Sequence, residues 1–391
     1  MRQGLIGILT GGGDVPGLNS IIKSVVYRAS EIDRRVLGIR LGWEGLTHMN
    51  LNDQGEDPQY LMPLTRQNTR TIDRSGGTIL HTSRAHPGRV SESRLPAYLR
   101  DQKSRLKIVK ENIYDLTDVV LNNLERLGIE CLVAIGGDDT ISYASLLHGQ
   151  GFPVIAIPKT MDNDVRNTEY CIGFATAITR ASMAITRQRT TVGSHERIGI
   201  FRIFGRDSGF TALYTAYATS IRCLIPEYPF DLRHLADLLM EDKRNNPSNY
   251  ALVVISEGAV WSGNAVIEYG DADAYGHRKK GNIGEALGDQ LRKLTGEETV
   301  ISDLTYDLRS GEPDFMDKLI ATTFANIAVD LISDRVHGKM TAIQSGKYAA
   351  ADIPEPMAGP RQVDVATLYN TNRYRPNYSS KAGLPLFLTT C

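Results

Sequence analysis

At 391 residues the chain is too long for one small core and suits two lobes. Hydrophobic residues make up 41% and charged residues 23%, the balance of a soluble globular protein. The net charge of −1 gives no general attraction to nucleic acid or an anionic membrane, and no apolar run approaches the ~20 residues of a membrane span, so any phosphate binding falls to local basic groups.

The elements alternate strand and helix. Leu5–Leu9 reads as a strand that breaks at Thr10-Gly11-Gly12-Gly13-Asp14. A helix follows, with Leu18, Ile21, Ile22, Val25, Val26 and Ala29 on one face. Bare glycine amides before a helix suit an anion, and they equally suit a tight turn. The turn is neither GxGxxG nor GxxxxGK[ST], so it implies neither a dinucleotide fold nor a P-loop. Val36–Leu41 is a second strand, ending in a Gly42-Trp43-Glu44-Gly45 turn with Trp43 as a packing residue.

Residues 50–75 read as irregular. The loop Gly76-Gly77-Thr78-Ile79-Leu80-His81-Thr82-Ser83-Arg84 suits a polyphosphate or plain solvent, and His81 and His86 read as surface residues. Residues 99–112 read as a charged helical face or connector. Leu116–Leu127 is helical, with Gly128 as its stop.

Next come two buried strands, Leu132–Ile135 and Val154–Ile157, around a helix at about 141–148. They end in Gly136-Gly137-Asp138-Asp139-Thr140 and Lys159-Thr160-Met161-Asp162-Asn163-Asp164. Ligands collect at the carboxyl ends of strands in open parallel sheets, so four carboxylates, a lysine and a glycine pair meet in one crevice. That set suits phosphate and metal chemistry.

Further on, Gly173–Thr191 is a long helix and Arg197–Phe204 a strand ending in Gly205-Arg206-Asp207. Ala251–Ser256 is a strand ending in Glu257, with a mixed loop at 260–280 containing Gly276-His277-Arg278-Lys279-Lys280. Thr299–Leu304 is a strand closed by Tyr306–Arg309, and Phe315–Ser333 is a long helix. The last ~55 residues read as an irregular tail over the surface. Cys131, Cys171, Cys223 and Cys391 form no CxxC pair and read as reduced thiols in a cytoplasmic protein. The alternation argues for α/β with mostly parallel sheets.

These ordered motifs resemble those of the phosphofructokinases over most of the chain. Gly136–Asp138 is similar to the family's GGD motif and Thr160–Asp164 to its TIDND motif, with Met161 for Ile. Phe204-Gly205-Arg206 stands at its MGR, Glu257 at its sugar-binding glutamate and Tyr306–Arg309 at its late sugar-phosphate segment.

The resemblance implies two lobes, each a mostly parallel sheet flanked by helices, with the site in the cleft. Residues 1–172 plus 308–391 would form the donor lobe with its tail, and 173–307 the sugar-phosphate lobe. It implies Mg²⁺-dependent phosphoryl transfer to the 1-hydroxyl of fructose 6-phosphate. Asp162 would be the base, Asp138 and Asp164 metal ligands, and Thr160 a contact of the sugar and moving phosphate. Gly12, through its N–H, and Arg84 would bind the donor. Arg206 with Gly205 would contact the acceptor, Phe204 would wall the sugar, Glu257 would bind hydroxyls, and Tyr306 and Arg309 would hold the 6-phosphate. Arg197 would reach a neighbour's 6-phosphate, so a homodimer or homotetramer is expected.

Two positions bear on the donor. ATP-using relatives have glycine where Asp139 and Lys159 stand here, and this pair resembles the pyrophosphate-dependent type. Asp139 would repel an ATP α-phosphate and Lys159 would stabilise the transferring group, or the two could be a second metal ligand and its partner. ATP as donor and sedoheptulose 7-phosphate as acceptor stay open alternatives. The family's arginine near position 300 is Val300 here, with Arg292 and Lys293 as candidate substitutes.

Overall fold

Short apolar runs, several of them stopping at glycine, build two mostly parallel sheets, seen in a computed structural model that describes residues 4–51, 59–262, 268–269, 279–280, 282–355, 359–379 and 382. The loop motif Gly276–Lys280, apart from its last two residues, and Cys391 lie outside the described residues.

The first sheet holds β1 (Leu5–Thr10), β2 (Arg35–Ile39), β3 (Leu61–Leu64), β4 (Ile129–Gly136) and β5 (Val154–Pro158). Helices α1 (Leu18–Glu31) and α2 (Asp138–Gly149) follow β1 and β4. The second sheet holds β6 (Ile198–Ile203), β7 (Arg222–Leu224), β8 (Ala251–Ser256) and β9 (Thr299–Asp303). It is entered through helix α3 (Phe174–Ser194), and helix α4 (Phe210–Thr219) leaves β6. Helix α5 (Phe315–Ser333) then returns to α1 and the first sheet, which gains β10 (Lys339–Gln344) and β11 (Lys347–Asp352).

The strand orders are β11-β10-β5-β4-β1-β2-β3 and β7-β8-β6-β9. All pairs are parallel except β2–β3 and β10–β11. Strands β5 and β8 are buried at every residue, as expected of strands covered on both faces. The fold is therefore the α/β arrangement read from the sequence.

Four local readings change. The second strand stops at Ile39, and Trp43–His48 is a short helix rather than a turn, with Trp43 buried against the Tyr143 ring. Residues 50–75 contain β3, whose four residues, one a proline, are too few to register as a period. Residues 99–112 include the strand Lys107–Lys110, which turns at left-handed Asn112 to pair with Ile113–Asp115; its exposure made it look helical. The final segment is no simple surface tail, because β10 and β11 extend the main sheet. Ala349, Ala350 and Ala351 in β11 gave no strand signal. Beyond them the chain crosses to the second sheet, where Cys223 N–H donates to Tyr374 O (2.8 Å) and the Tyr369 hydroxyl to Cys223 O (2.7 Å).

Asp317 on α5 anchors the link between the sheets. It is fully buried and accepts from the Tyr170 hydroxyl (2.6 Å), Gly173 N–H (2.7 Å), Thr176 N–H (2.9 Å) and the Thr176 hydroxyl (2.5 Å). It thus satisfies free amides at the start of α3. Replacing Asp317 with Ala leaves these donors stranded, and urea unfolding is expected to show a loss of about 3 kcal/mol or more.

Candidate active site

β1, β4 and β5 run parallel side by side, so the residues after Thr10, Gly136 and Pro158 share one edge. Gly11 N–H donates to Ile135 O and Lys159 N–H to Gly136 O, both at 2.9 Å. Thr140 packs beneath them: a Cβ on Gly11 would lie 2.5 Å from its hydroxyl oxygen, and one on Gly136 only 2.2 Å from its Cβ. Glycine is required here so that backbone can approach α2. The helix starts earlier than the sequence suggests, and Asp138 and Asp139 form its first turn, where the dipole favours carboxylates.

Gly12 departs from expectation. Its N–H donates to Ser83 O (3.0 Å), so it is spent on the loop rather than aimed at a ligand. The Thr82 hydroxyl returns a bond to Gly12 O (2.7 Å) and the Thr10 hydroxyl donates to His81 O (2.9 Å). This lacing brings Arg84 to the glycine turn. His81 is exposed as expected, but His86 is half-buried with its ring edge-on to Tyr143 at 5.3 Å.

Lys159 is buried, and its amine donates to Gly13 O at 2.5 Å. Burial, then the Arg309 and Arg84 cations, lower its pKa to about 7 against the pull of Asp14 and Asp164. A desolvated cation crowded by other cations is what a polyanion would complete.

Thr160 positions the next loop by accepting Asp162 N–H (3.2 Å). Asp162 is half-buried, with Oδ1 enclosed and accepting no hydrogen bond. Burial, then the like charges of Asp164 and Glu257, push its carboxyl far above the ordinary range, while Arg309 and Arg206 oppose the shift. Asp164 is raised by burial and then by Asp138, with Arg361 opposing.

The second sheet supplies the facing edge. Phe204–Arg206 follow β6, Glu257 follows β8, and Tyr306–Arg309 form one helical turn after β9. Gly205 has φ of 131°, and a Cβ there would meet Ser208 O at 2.7 Å. Glu257 receives Arg202 at 3.5 Å. Arg309 stacks over the Phe204 ring at 4.2 Å and directs Nε to Met161 Sδ at 3.3 Å. Its guanidinium also crowds Gly13, so it stands between the two edges rather than only at the far end of the sugar. Tyr306 stands at the rim, 73% exposed, edge-on to Phe204.

Arg197 is not brought to this edge. It precedes β6 while Phe204 follows it, and six extended residues separate them by roughly 20 Å. Val300 pairs with Gly199 near that far end, and Arg292 is exposed beside Asp289 (3.2 Å). Sequence reasoning missed the packing role of Thr140, the anchor Asp317 and the tail residue Arg361. Only Asp317 carried a signal, since Asp314 and Asp317 have the spacing of a helix start, and Asp314 caps α5.

The chemistry of the donor set suits a metal: the charge of Asp138 raises Asp164's cost of ionisation, and two carboxylates plus phosphate oxygens are a usual Mg²⁺ donor set. No cluster of three or more metal-ligating side chains occurs among the described residues. Cys131, Cys171 and Cys223 are buried free thiols, and no described helix is long and apolar enough to cross a membrane.

The family pattern described as Phosphofructokinase matches residues 5–332. The chain is 34% identical over 366 residues to a pyrophosphate–fructose 6-phosphate 1-phosphotransferase of Streptomyces coelicolor, covering 92% of this chain and 96% of the relative. It is 35% identical over 343 residues to an ATP-dependent 6-phosphofructokinase of the same organism, covering 87% and 90%. In fold it is similar to a pyrophosphate-dependent phosphofructokinase from Marinobacter aquaeolei, with a TM-score of 0.74 at 16% identity, covering 96% of this chain and 89% of that one.

Proposed function

The chain belongs to the phosphofructokinase family, and from that membership we propose that it transfers a phosphoryl group from pyrophosphate to the 1-hydroxyl of fructose 6-phosphate. The reaction would be near reversible. The observation that carries the choice of donor is Lys159, a buried amine held at Gly13 under the charges of Arg309 and Arg84, just past the strand neighbouring the one that leads to Asp139.

In this reading the first lobe, 1–172 with 308–391, binds the donor and 173–307 binds the sugar phosphate, with Tyr369 and Tyr374 of the tail bonded to the second sheet. Arg84 and Lys159 hold pyrophosphate, while Asp139 excludes a further phosphate. Gly12 contributes a turn free of side chain. Asp162 takes the proton from the sugar hydroxyl as Thr160 holds the moving group. Arg206 and Arg309 flank Asp162 and spread positive charge over the transition state, which needs positioning more than covalent chemistry. Phe204, Gly205, Glu257 and Tyr306 shape the sugar site. Asp138 and Asp164 would hold Mg²⁺, which when bound neutralises phosphate charge. Arg197, remote from its own cleft, would serve a neighbouring subunit of a homo-oligomer.

Lys159 makes pyrophosphate binding pH-dependent. Its pKa is lowered to about 7 without anion and rises when one binds. Below pH 7 the ammonium is already present; above it, binding must take up a proton. The KM for pyrophosphate, corrected for pyrophosphate's own ionisation, is therefore expected to rise with pH above about 7, approaching a tenfold change per unit. A Lys159→Arg variant should flatten that slope.

ATP is the second reading, since the relative named for ATP is 35% identical and the one named for pyrophosphate 34%. A coupled assay crossing pyrophosphate and ATP with fructose 6-phosphate and sedoheptulose 7-phosphate tests donor and acceptor together. Faster turnover with ATP would reject the donor assignment.

A further inference from the structure

The family pattern ends at residue 332, yet a later stretch of chain, 359–363, lies directly against the site. The carbonyls of Gly359 and Pro360 accept from Arg166 at 3.0 and 3.3 Å. Arg361 then turns inward and is 4% exposed. Its backbone N–H donates to Asp164 O (2.6 Å), and one guanidinium nitrogen donates to Asn163 O (2.5 Å) and Glu169 O (3.4 Å). The guanidinium also stacks on the Phe210 ring at 4.6 Å. The next two residues bind the opposite edge. Gln362 donates to Asp207 O (3.3 Å), and Val363 N–H to Glu227 Oε1 (2.9 Å), the atom that also accepts Gly209 N–H (2.8 Å).

Three consecutive residues therefore bond the loop bearing Asp162 and Asp164 to the loop bearing Arg206. The first loop needs holding. Asn163, between the two carboxylates, has φ of 55°, a left-handed conformation uncommon outside glycine. Such strain persists where its surroundings over-determine it. The Asn163 side chain supplies two restraints, donating to Glu169 O (3.0 Å) and accepting Cys171 N–H (2.7 Å). Arg361 holds the backbone carbonyls of Asn163 and Asp164 themselves.

We propose that Arg361 is a positioning residue for phosphoryl transfer, pinning the Asp162–Asp164 turn at its working distance from the Arg206 loop. The inference rests on the reading of Asp162 and Arg206 given above. Arg361 does not touch substrate in this role. It acts where a misplacement of about 1 Å can change turnover by a hundredfold.

The test compares Arg361→Ala and Arg361→Lys with the native chain, using whichever of pyrophosphate and ATP the native chain prefers. A wrong donor assignment thus leaves the result readable. Arg361→Ala is expected to lose about 10- to 100-fold in kcat, with both KM values within about threefold of native. Guanidinium ion at tens of millimolar should restore part of that kcat while leaving the native enzyme no faster. Arg361→Lys keeps a cation but lacks the planar guanidinium that lies on the Phe210 ring while bonding the carbonyls, so it should fold and still lose turnover. Native kcat in Arg361→Lys overturns the proposal. So does an Arg361→Ala protein whose only defect is a lower melting temperature, or one in which guanidinium restores stability but not kcat. Asp162→Asn scores the dependence on Asp162 separately.

Discussion

Replacing Asp162 with Asn is expected to lower kcat by about 10²–10⁴-fold or more, because the amide cannot take a proton from the sugar hydroxyl. Binding of fructose 6-phosphate should change by no more than about threefold, since the side chain keeps its volume. The structure adds a second expectation that a mere binding residue would not share. Asp162 ionises against burial and against the charges of Asp164 and Glu257, with one oxygen enclosed and unbonded. Its folded pKa is raised, so the fold is penalised as pH rises from the ordinary carboxylate range to about 8, and the penalty fades as pH falls. Asn removes that burden permanently. The variant should therefore be as stable as native or more so, the usual sign of a site strained for function. Kinetics, calorimetric binding of fructose 6-phosphate and thermal unfolding at pH 7 together decide it. Retained turnover with a raised KM would remove Asp162 from the role of base.

The crevice was legible because parallel sheets concentrate ligand groups at strand ends, and β4 and β5 are near-continuous apolar runs with abrupt polar stops. Knowing that Gly136 and Pro158 end neighbouring strands was enough to bring Asp138, Lys159 and Asp162 together. What stayed hidden depends on contacts distant in sequence. Arg361 meets Asn163 across 198 residues, from a proline-containing stretch without period. The N–H of Gly12 looked free because a glycine turn before a helix resembles an anion cradle. Only the packed loop reveals that Ser83 O already occupies it. Strand β11 was missed because its alanines carry little β propensity, and pairing decides the state of both late strands, β10 against β5 and β11 against β10.

Exchanging Asp139 for Gly is expected to admit ATP, and exchanging Lys159 as well to abolish pyrophosphate use. A carboxylate facing a nucleotide α-phosphate at about 4 Å, in a medium of intermediate dielectric, opposes binding by about 4 kcal/mol. At about 1.4 kcal/mol per decade, its removal should raise kcat/KM for ATP by roughly 10²–10³-fold. Asp139 sits in the first turn of α2, so glycine there also weakens the helix start by about 1 kcal/mol, too little to unfold the lobe. Lys159 demands a different control. Its amine holds Gly13 O and fills space near Arg309 and Arg84, so Lys159→Gly would leave both a cavity and an unpaired carbonyl. Lys159→Met keeps length and apolar bulk while removing the charge. It should lower kcat/KM for pyrophosphate by about 10²–10³-fold, the scale for losing one fixed charge-stabilising group. If Asp139→Gly leaves the ratio of ATP to pyrophosphate use where it was, Asp139 is a metal ligand rather than a gate. In that case magnesium activation, not donor choice, should shift in the variant.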